Sequence, residues 1–250
     1  MELSPFFFAL AIPAVLFAGI SKGGFASGAA FASTPLLAMI LEPAQAVGLM
    51  LPLLMVMDLA SLRPYWRRWN APNARALILG AVPGTAIGAL IFGLADADAL
   101  RLMIGAVALG FVAWQGARAL GRLRLAPRPF SPLAGGFWGC MAGITSFISH
   151  AGGPLLAVHL LGQRLGKTEY QATSVIVFFA ANWMKFPPYL FLGMIGRDSL
   201  PAVIALVPVA LIGTWLGVHA HRLVPERAFF ALTYGMLVIT GGKLILDALS

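Results

Sequence analysis

Charged residues are scarce along this chain. They make up 10% of its 250 residues, whereas 60% are hydrophobic, and a soluble domain carries about 25% charged residues. So few charges cannot cover a water-facing surface of this size, and no long polar segment offers a separate soluble domain. The composition therefore excludes an ordinary soluble protein and indicates an integral membrane protein.

Cysteine is nearly absent as well. The single Cys140 excludes an internal disulfide and any site with several cysteine ligands. The chain lacks the G-x-x-x-x-G-K-[ST] phosphate loop, which argues against direct ATP coupling within it. The isolated histidines form no recognisable catalytic constellation. We therefore expect no enzyme, no cofactor and no metal site.

The net charge of +8 is compatible with nucleic-acid binding. The basic residues are scattered between hydrophobic spans, so membrane orientation explains them better, and we expect no nucleic-acid partner.

Ten apolar spans form two sets of five. The first set covers roughly residues 5–20, 25–41, 44–62, 74–94 and 99–118, and the second roughly 131–147, 152–162, 170–193, 199–219 and 228–247. A full membrane crossing needs about 20 residues. Three spans fall short of this length, so we predict half-helices or re-entrant segments that protein or a water-filled cavity covers. These three are 5–20, 25–41 and 152–162.

A Gly-rich break occurs once in each set. The first reads Ala18-Gly19-Ile20-Ser21-Lys22-Gly23-Gly24, and the second reads His150-Ala151-Gly152-Gly153-Pro154. Further residues match between the two halves at one offset: Pro83 with Pro208, Gly88 with Gly213, Gly110 with Gly235, and Gly116 with Gly241. We interpret the pattern as a duplication, with repeats at 1–125 and 126–250 that together form one membrane domain.

Charge placement predicts the orientation of these repeats. The positive-inside rule assigns the basic loops to the cytoplasm and both termini to the periplasm. Each repeat has five segments, an odd number, so the second inserts upside down. We therefore predict an all-α polytopic membrane protein with two inverted-topology repeats and broken or re-entrant Gly-rich segments. The residues that define the cytoplasmic loops are Lys22, Arg63, Arg67, Arg68, Arg75, Arg118, Arg122, Arg124, Arg128, Arg164, Lys167, Arg222 and Arg227.

The first break is a candidate anion site. Lys22 attracts an anion, and Ser21 with the free backbone N–H groups of a following half-helix completes the site. Alternatively, Lys22 is only a topology signal at a helix end. The glycines beside both breaks either allow a bend that presents amides to an anion or serve tight helix packing. These glycines are Gly23, Gly24, Gly152 and Gly153.

Two ionisable residues lie deep in apolar spans, where charge is costly and usually functional. Lys185 is a candidate for binding the anion, and Asp58 is its expected partner when the site is empty. Asn182 lies three residues before Lys185 on the same helix face, and its amide can donate to an oxyanion. The alternatives are a structural ion pair, a lysine that snorkels to the interface and a polar helix–helix contact.

The second break carries Ser146, Ser149 and His150. Hydroxyls donate to anion oxygens, and an imidazole can titrate near neutral pH. These residues therefore bind either the anion or a coupled proton. The alternative is that the serines satisfy backbone groups of a broken helix while His150 lies at the outer interface.

Taken together, these motifs resemble the TauE/SafE family of sulfite-exporter-like permeases. The likeness rests on Gly19 to Pro35 and Glu42-Pro43-Ala44-Gln45-Ala46 in the first half, and on Ser149 to Pro154 and Asn182 to Tyr189 in the second. The resemblance implies export of sulfite or an organosulfonate such as sulfoacetate across the bacterial inner membrane.

The expected mechanism is that of a secondary transporter with alternating access, in which one repeat rocks against the other. The alternatives are an uptake permease or a channel for another oxyanion or carboxylate and, less favoured, a membrane-embedded enzyme. The expected partners are the small anion, membrane lipid and a coupled proton or cation. The oligomeric state, including a homodimer, stays open.

Overall fold

The chain is helical throughout the part that the computed structural model describes, which is residues 3–24, 29–122, 128–220 and 226–250. No strand occurs in these ranges, which confirms the predicted all-α class. The helices are α1 (Pro5–Gly24), α2 (Ser33–Leu37), α3 (Pro43–Leu62), α4 (Ala71–Leu94), α5 (Ala97–Ala119), α6 (Pro132–Ser149), α7 (Gly153–Gly162), α8 (Lys167–Phe191), α9 (Leu200–Ala220) and α10 (Glu226–Leu249), with 3-10 turns at Ala29–Ala32 and Arg197–Ser199.

Six stretches of the described chain are long and apolar enough to cross a membrane, so this is a multi-pass membrane protein. They are Pro5–Gly24, Pro43–Leu62, Ala71–Leu94, Ala97–Ala119, Arg197–His219 and Phe230–Leu249. Large apolar side chains such as Leu79, Leu90 and Phe191 are exposed on the outer surface. A lipid environment accommodates such a surface, whereas water does not.

The three spans predicted to be half-helices or re-entrant segments contain helices of different lengths. The half-helix predicted at 5–20 is wrong, because α1 continues to Gly24 and reaches 20 residues. In contrast, α2 has only five residues and α7 only ten, about 8 Å and 15 Å of helix. The half-helix start expected directly after Gly24 falls on residues 25–28, which lie outside the described part.

The starts of α4, α5 and α6 are capped by polar side chains. The Asn70 side chain accepts from the N–H of Asn73 at the start of α4, and Asp96 accepts from Ala99 at the start of α5. Ser131 caps α6 in the same way. Each oxygen satisfies a backbone donor that has no partner within the helix, so these polar residues mark where the apolar spans begin.

In two of the helix pairs of the described chain, glycines bring the backbones into especially close contact. Helix α1 packs along α9, and a Cβ added to Gly24 would lie 2.2 Å from the carbonyl oxygen of Gly217. Helix α4 packs along α6, where a Cβ on Gly80 would lie 2.1 Å from the oxygen of Gly136. Only glycine permits such an approach. Each pair joins a helix of residues 1–125 to one of residues 126–250.

Helix α3 lies at the centre of the molecule. Its apolar side chains are almost entirely buried, including Leu49, Met50, Leu53 and Met57. It packs against α1, α8 and α9. A polar group on α3 therefore faces protein, and Asp58 near its C-terminal end is the only ionisable residue in its sequence.

A polar network joins the ends of α4, α7 and α8. Asn73 on α4 contacts His159 of α7, with 2.7 Å between Oδ1 and Nε2. Asn70 donates from its amide to Glu169 of α8, and its backbone N–H donates to the Thr173 hydroxyl, both at 2.9 Å. His159 thereby attaches the C-terminal part of α7 to α4, and Asn70 joins the start of α4 to α8. The N-terminal end of α7 follows directly after the turn at His150.

Candidate functional site

A small cavity lies between α1, α3, α6 and α8. Its volume is about 40 Å³, room for about three water molecules or a small anion. Its polar lining comes from four segments of the chain. The polar or charged lining residues are Ser21, Lys22, Asp58, Ser61, Ser146, His150, Gln171, Ser174 and Asn182.

Asp58 is bound on both carboxylate oxygens. The Lys22 ammonium donates to Oδ1, and the Asn182 amide donates to Oδ2 at 2.5 Å. The expected pairing of Asp58 with Lys185 is therefore wrong. Because α1 continues past the predicted break, its last turn carries Lys22 directly to α3, so the ion pair forms there. Asn182, which shares a face of α8 with Lys185, contacts the Asp58 carboxylate directly.

Lys185 has only uncharged acceptors among the described side chains. It is 1% exposed, and its ammonium donates to the Ser146 carbonyl oxygen at 3.1 Å and to the Ser146 hydroxyl at 3.0 Å. The third contact joins Nζ to His150 Nδ1 at 2.9 Å. All three N–H donors thus have acceptors, but none of these carries a compensating negative charge.

His150 occupies a left-handed backbone conformation, with φ of 57°. Such a residue commonly ends a helix, and here it separates α6 from the turn before α7. Its Nε2 lies 2.9 Å from the Val47 carbonyl oxygen. Because a carbonyl only accepts, Nε2 carries the hydrogen and Nδ1 offers its lone pair to Lys185. The imidazole therefore fits the site in its neutral form.

Three buried polar atoms around the cavity lack a hydrogen-bond partner among the described residues: Ser21 Oγ, Ser61 Oγ and Gln171 Oε1. Buried polar atoms in native proteins are normally satisfied by protein, water or ligand. The Ser146 hydroxyl, which accepts from Lys185, keeps its own hydrogen available. The cavity therefore offers several hydroxyl donors beside two ammonium groups, which suits an oxyanion.

Other residues predicted to bind substrate lie beside the cavity rather than on its wall. Gly23 and Gly24 face the α9 backbone. The Ser149 hydroxyl donates to the Thr145 carbonyl oxygen at 3.3 Å. Gly152 lies against α6, where an added Cβ would be 3.0 Å from Ser146 Cβ, and Gly153 begins α7. These positions match the packing alternative, and their contact with substrate stays a prediction.

Lys22 lies at the C-terminal end of a helix. It is in the last turn of α1, where the helix dipole favours a cation. The half-helix expected to follow, with its free N–H groups, would begin in residues 25–28, which lie outside the described part. Lys22 therefore contributes its own charge to the site and gains support from the carbonyl end of its helix.

Eight lining residues did not stand out in the sequence, among them Ser61, Gln171, Ser174 and Phe178. The feature of the sequence that could have identified these four is their spacing. Gln171, Ser174, Phe178, Asn182 and Lys185 follow one another at intervals of three or four, so they share a face of α8. Asp58 and Ser61 have the same relation on α3. The face of α3 that carries Asp58 and the face of α8 that carries Lys185 thus meet at one cavity.

A family model described as "Sulfite exporter TauE/SafE" matches residues 11–244. The chain belongs to this family. The match includes every cavity residue between Ser21 and Asn182, as well as Lys185. Comparison with the curated proteins and with the solved structures gave no match. TauE/SafE proteins are transporters of the sulfite-exporter type, so the sequence resemblance is confirmed at the level of family.

Proposed function

We propose that this TauE/SafE protein is a secondary transporter that exports a small sulfur-containing anion, sulfite or an organosulfonate such as sulfoacetate, across the bacterial inner membrane. One observation carries the proposal. Among the described residues, the buried ammonium of Lys185 has only neutral acceptors, and it lies behind a cavity in which the hydroxyl groups of Ser21 and Ser61 are buried without a partner. An oxyanion supplies both the charge and the acceptor oxygens that this arrangement needs.

The anion is held by groups from different helices. Ser21, Ser61 and Ser146 donate from their hydroxyls to its oxygens. Lys22 and Lys185 supply positive charge at two points along the cavity. The volume of about 40 Å³ suits an anion of about four non-hydrogen atoms on the scale of about one water per 10–15 Å³. A larger organosulfonate requires the cavity to widen.

Alternating access is supported by the arrangement of the helices. The substrate cavity lies between the two predicted repeats, and the short α7 ends beside it. The pairing of α1 with α9 has its counterpart in the pairing of α4 with α6, as a two-fold relation between repeats requires. A site at the junction of repeats is typical of secondary transporters.

The membrane potential favours export. With the inside negative, one negative charge leaving the cell gains about 2.3 kcal/mol per 100 mV. Export of a monoanion thus needs no coupled ion, whereas uptake requires protons or another cation. An uptake permease and a channel are the alternatives, and counterflow in proteoliposomes distinguishes them. Saturable, concentrative counterflow is the property of a carrier, while a channel only dissipates the gradient.

The role of Lys185 is tested by Lys185→Met, which keeps much of the buried volume and removes the charge. We expect sulfite efflux from proteoliposomes to fall to the rate of protein-free liposomes, because the anion loses its uncompensated cation. Lys243→Met is the matched control, since Lys243 forms an exposed pair with Asp247. Wild-type flux in a folded Lys185→Met protein contradicts the proposal.

A further inference from the structure

We propose that the cavity carries anions with one net negative charge, and that a dianion crosses only together with one proton. This rests on the anion transport proposed above. It concerns the charge state of the substrate, which neither the family nor the shape of the cavity specifies.

The first step is an inventory of charge around the cavity. Among the described residues, four ionisable groups face it or contact its wall: Lys22 from α1, Asp58 from α3, His150 from the α6–α7 turn and Lys185 from α8. Tyr189 packs beside His150, and its hydroxyl donates to the Phe147 carbonyl oxygen at 2.5 Å. Lys22 and Asp58 cancel each other, so a protonated Lys185 gives these described groups a net charge of one positive unit.

The second step concerns the hydrogen bond between Lys185 and His150, in which the ammonium donates and Nδ1 accepts. The Val47 carbonyl holds the hydrogen on Nε2, and Nδ1 accepts from Lys185. If His150 gains a proton on Nδ1, both groups become donors and repel each other. An additional proton therefore requires an additional acceptor, and an anion oxygen that enters the cavity provides one.

The third step compares the two kinds of anion. A monoanion brings the buried site to electrical neutrality, the condition in which burial costs least. A dianion leaves one uncompensated negative charge. A single proton removes that charge, either on His150 next to Lys185 or on Asp58 after Lys22 turns to the substrate. Either route binds one proton for each dianion.

Methanesulfonate and sulfate are the probes. The two ions are close in size and shape, but the first is a monoanion and the second a dianion across the neutral pH range. In proteoliposomes with a trapped pH dye and a clamped membrane potential, we expect methanesulfonate to move one charge and no proton. We expect sulfate to move one charge with one proton, and its flux to rise about tenfold for each unit of pH lowered while protons are limiting.

Variants of the ion pair change the charge of the cavity directly. Asp58→Asn makes it +2, so sulfate transport becomes independent of protons and methanesulfonate transport falls. Lys22→Gln makes it neutral, so both anions are transported poorly. The double variant Lys22→Gln/Asp58→Asn returns it to +1, and we expect it to regain methanesulfonate transport over Lys22→Gln alone. Lys243→Gln, in an exposed pair, leaves selectivity unchanged.

The outcomes separate this inference from the function on which it rests. If neither these anions nor sulfite move, the proposed transport function fails. If sulfate crosses as a dianion without a proton, or methanesulfonate carries one, transport stands and the charge rule is overturned. Wild-type measurements alone decide this, and monodisperse elution of each variant in detergent confirms that it folds before its selectivity is interpreted.

Discussion

Lys185 and Lys22 differ in how the protein itself compensates their charge. Three neutral acceptors satisfy the donors of Lys185, which is buried in an apolar helix where an unpaired charge is costly. Neutral acceptors do not cancel its field, in contrast to Asp58 at Lys22. The two lysines are therefore not equivalent, and under the proposed function the anion compensates Lys185.

The two serines of the second break provide a matched comparison. Ser146 contacts Lys185 and lines the cavity, whereas the Ser149 hydroxyl donates to the Thr145 carbonyl oxygen within α6. We expect Ser146→Ala to raise the half-saturating sulfite concentration about 10- to 100-fold, the loss of one hydrogen bond to a charged group. Ser149→Ala is expected to stay near wild type in the same efflux assay. Equal effects in the two variants would contradict this assignment.

The sequence located the ionisable part of the site but not its pairing. Lys185 and Asp58 stood out because charge is rare within apolar spans. Ser61, Gln171 and Ser174 did not, because an uncharged hydroxyl or amide side chain is less costly in an apolar span than a charged group. The partner of Asp58 depended on how far α1 extends, and no local pattern around Lys22 determines that length.

At the scale of helices, glycines have two uses that look alike in sequence. Gly217 faces α1, and an added Cβ would lie 2.3 Å from the Ile20 carbonyl oxygen. Gly235 on α10 has nothing within 4 Å of an added Cβ. The glycines at the first break fit either a bend or tight packing in the sequence, and their neighbours on α9 match the packing alternative.

Substitution of these two glycines separates packing from helix propensity. We expect Gly217→Ala to destabilise the protein by about 1–3 kcal/mol, the usual cost of overpacking. Gly235→Ala is expected to be neutral or to stabilise by up to about 1 kcal/mol, because alanine is the better helix former. Thermal unfolding in detergent measures both. A neutral Gly217→Ala would show that α1 and α9 are not in backbone contact.

Ten spans of the sequence correspond to the ten α-helices of the described residues, so hydropathy and charge were sufficient for the number and order of these elements. Their ends shifted where caps and tertiary contacts decide, as at α1, which gains a further turn against α9. The relation between the two halves, and the side of the membrane on which each loop lies, stay predictions from repeat parity and charge.

Orientation of the whole molecule is tested by labelling single cysteines. Cys140 is the one native cysteine, so Cys140→Ser gives a cysteine-free background. We expect Ser250→Cys to react with an impermeant maleimide in right-side-out vesicles, because the C-terminus is predicted to be periplasmic. Arg68→Cys should react only after permeabilisation. The reverse pattern would invert the topology and with it the direction in which the membrane potential acts.

The backbone contacts between halves also decide which parts move as units. The backbones of α1 and α9 are in contact, as are those of α4 and α6, so the two helices of a pair cannot slide along each other without a clash of side chains. Each pair contains one helix from each half of the chain. If transport proceeds by alternating access, we therefore expect these mixed pairs, rather than the predicted repeats, to move as units. If the gene were divided between residues 125 and 126, each fragment would expose the glycine-lined helix surface that packs against the other fragment. We therefore expect neither fragment to be stable unless both are produced together.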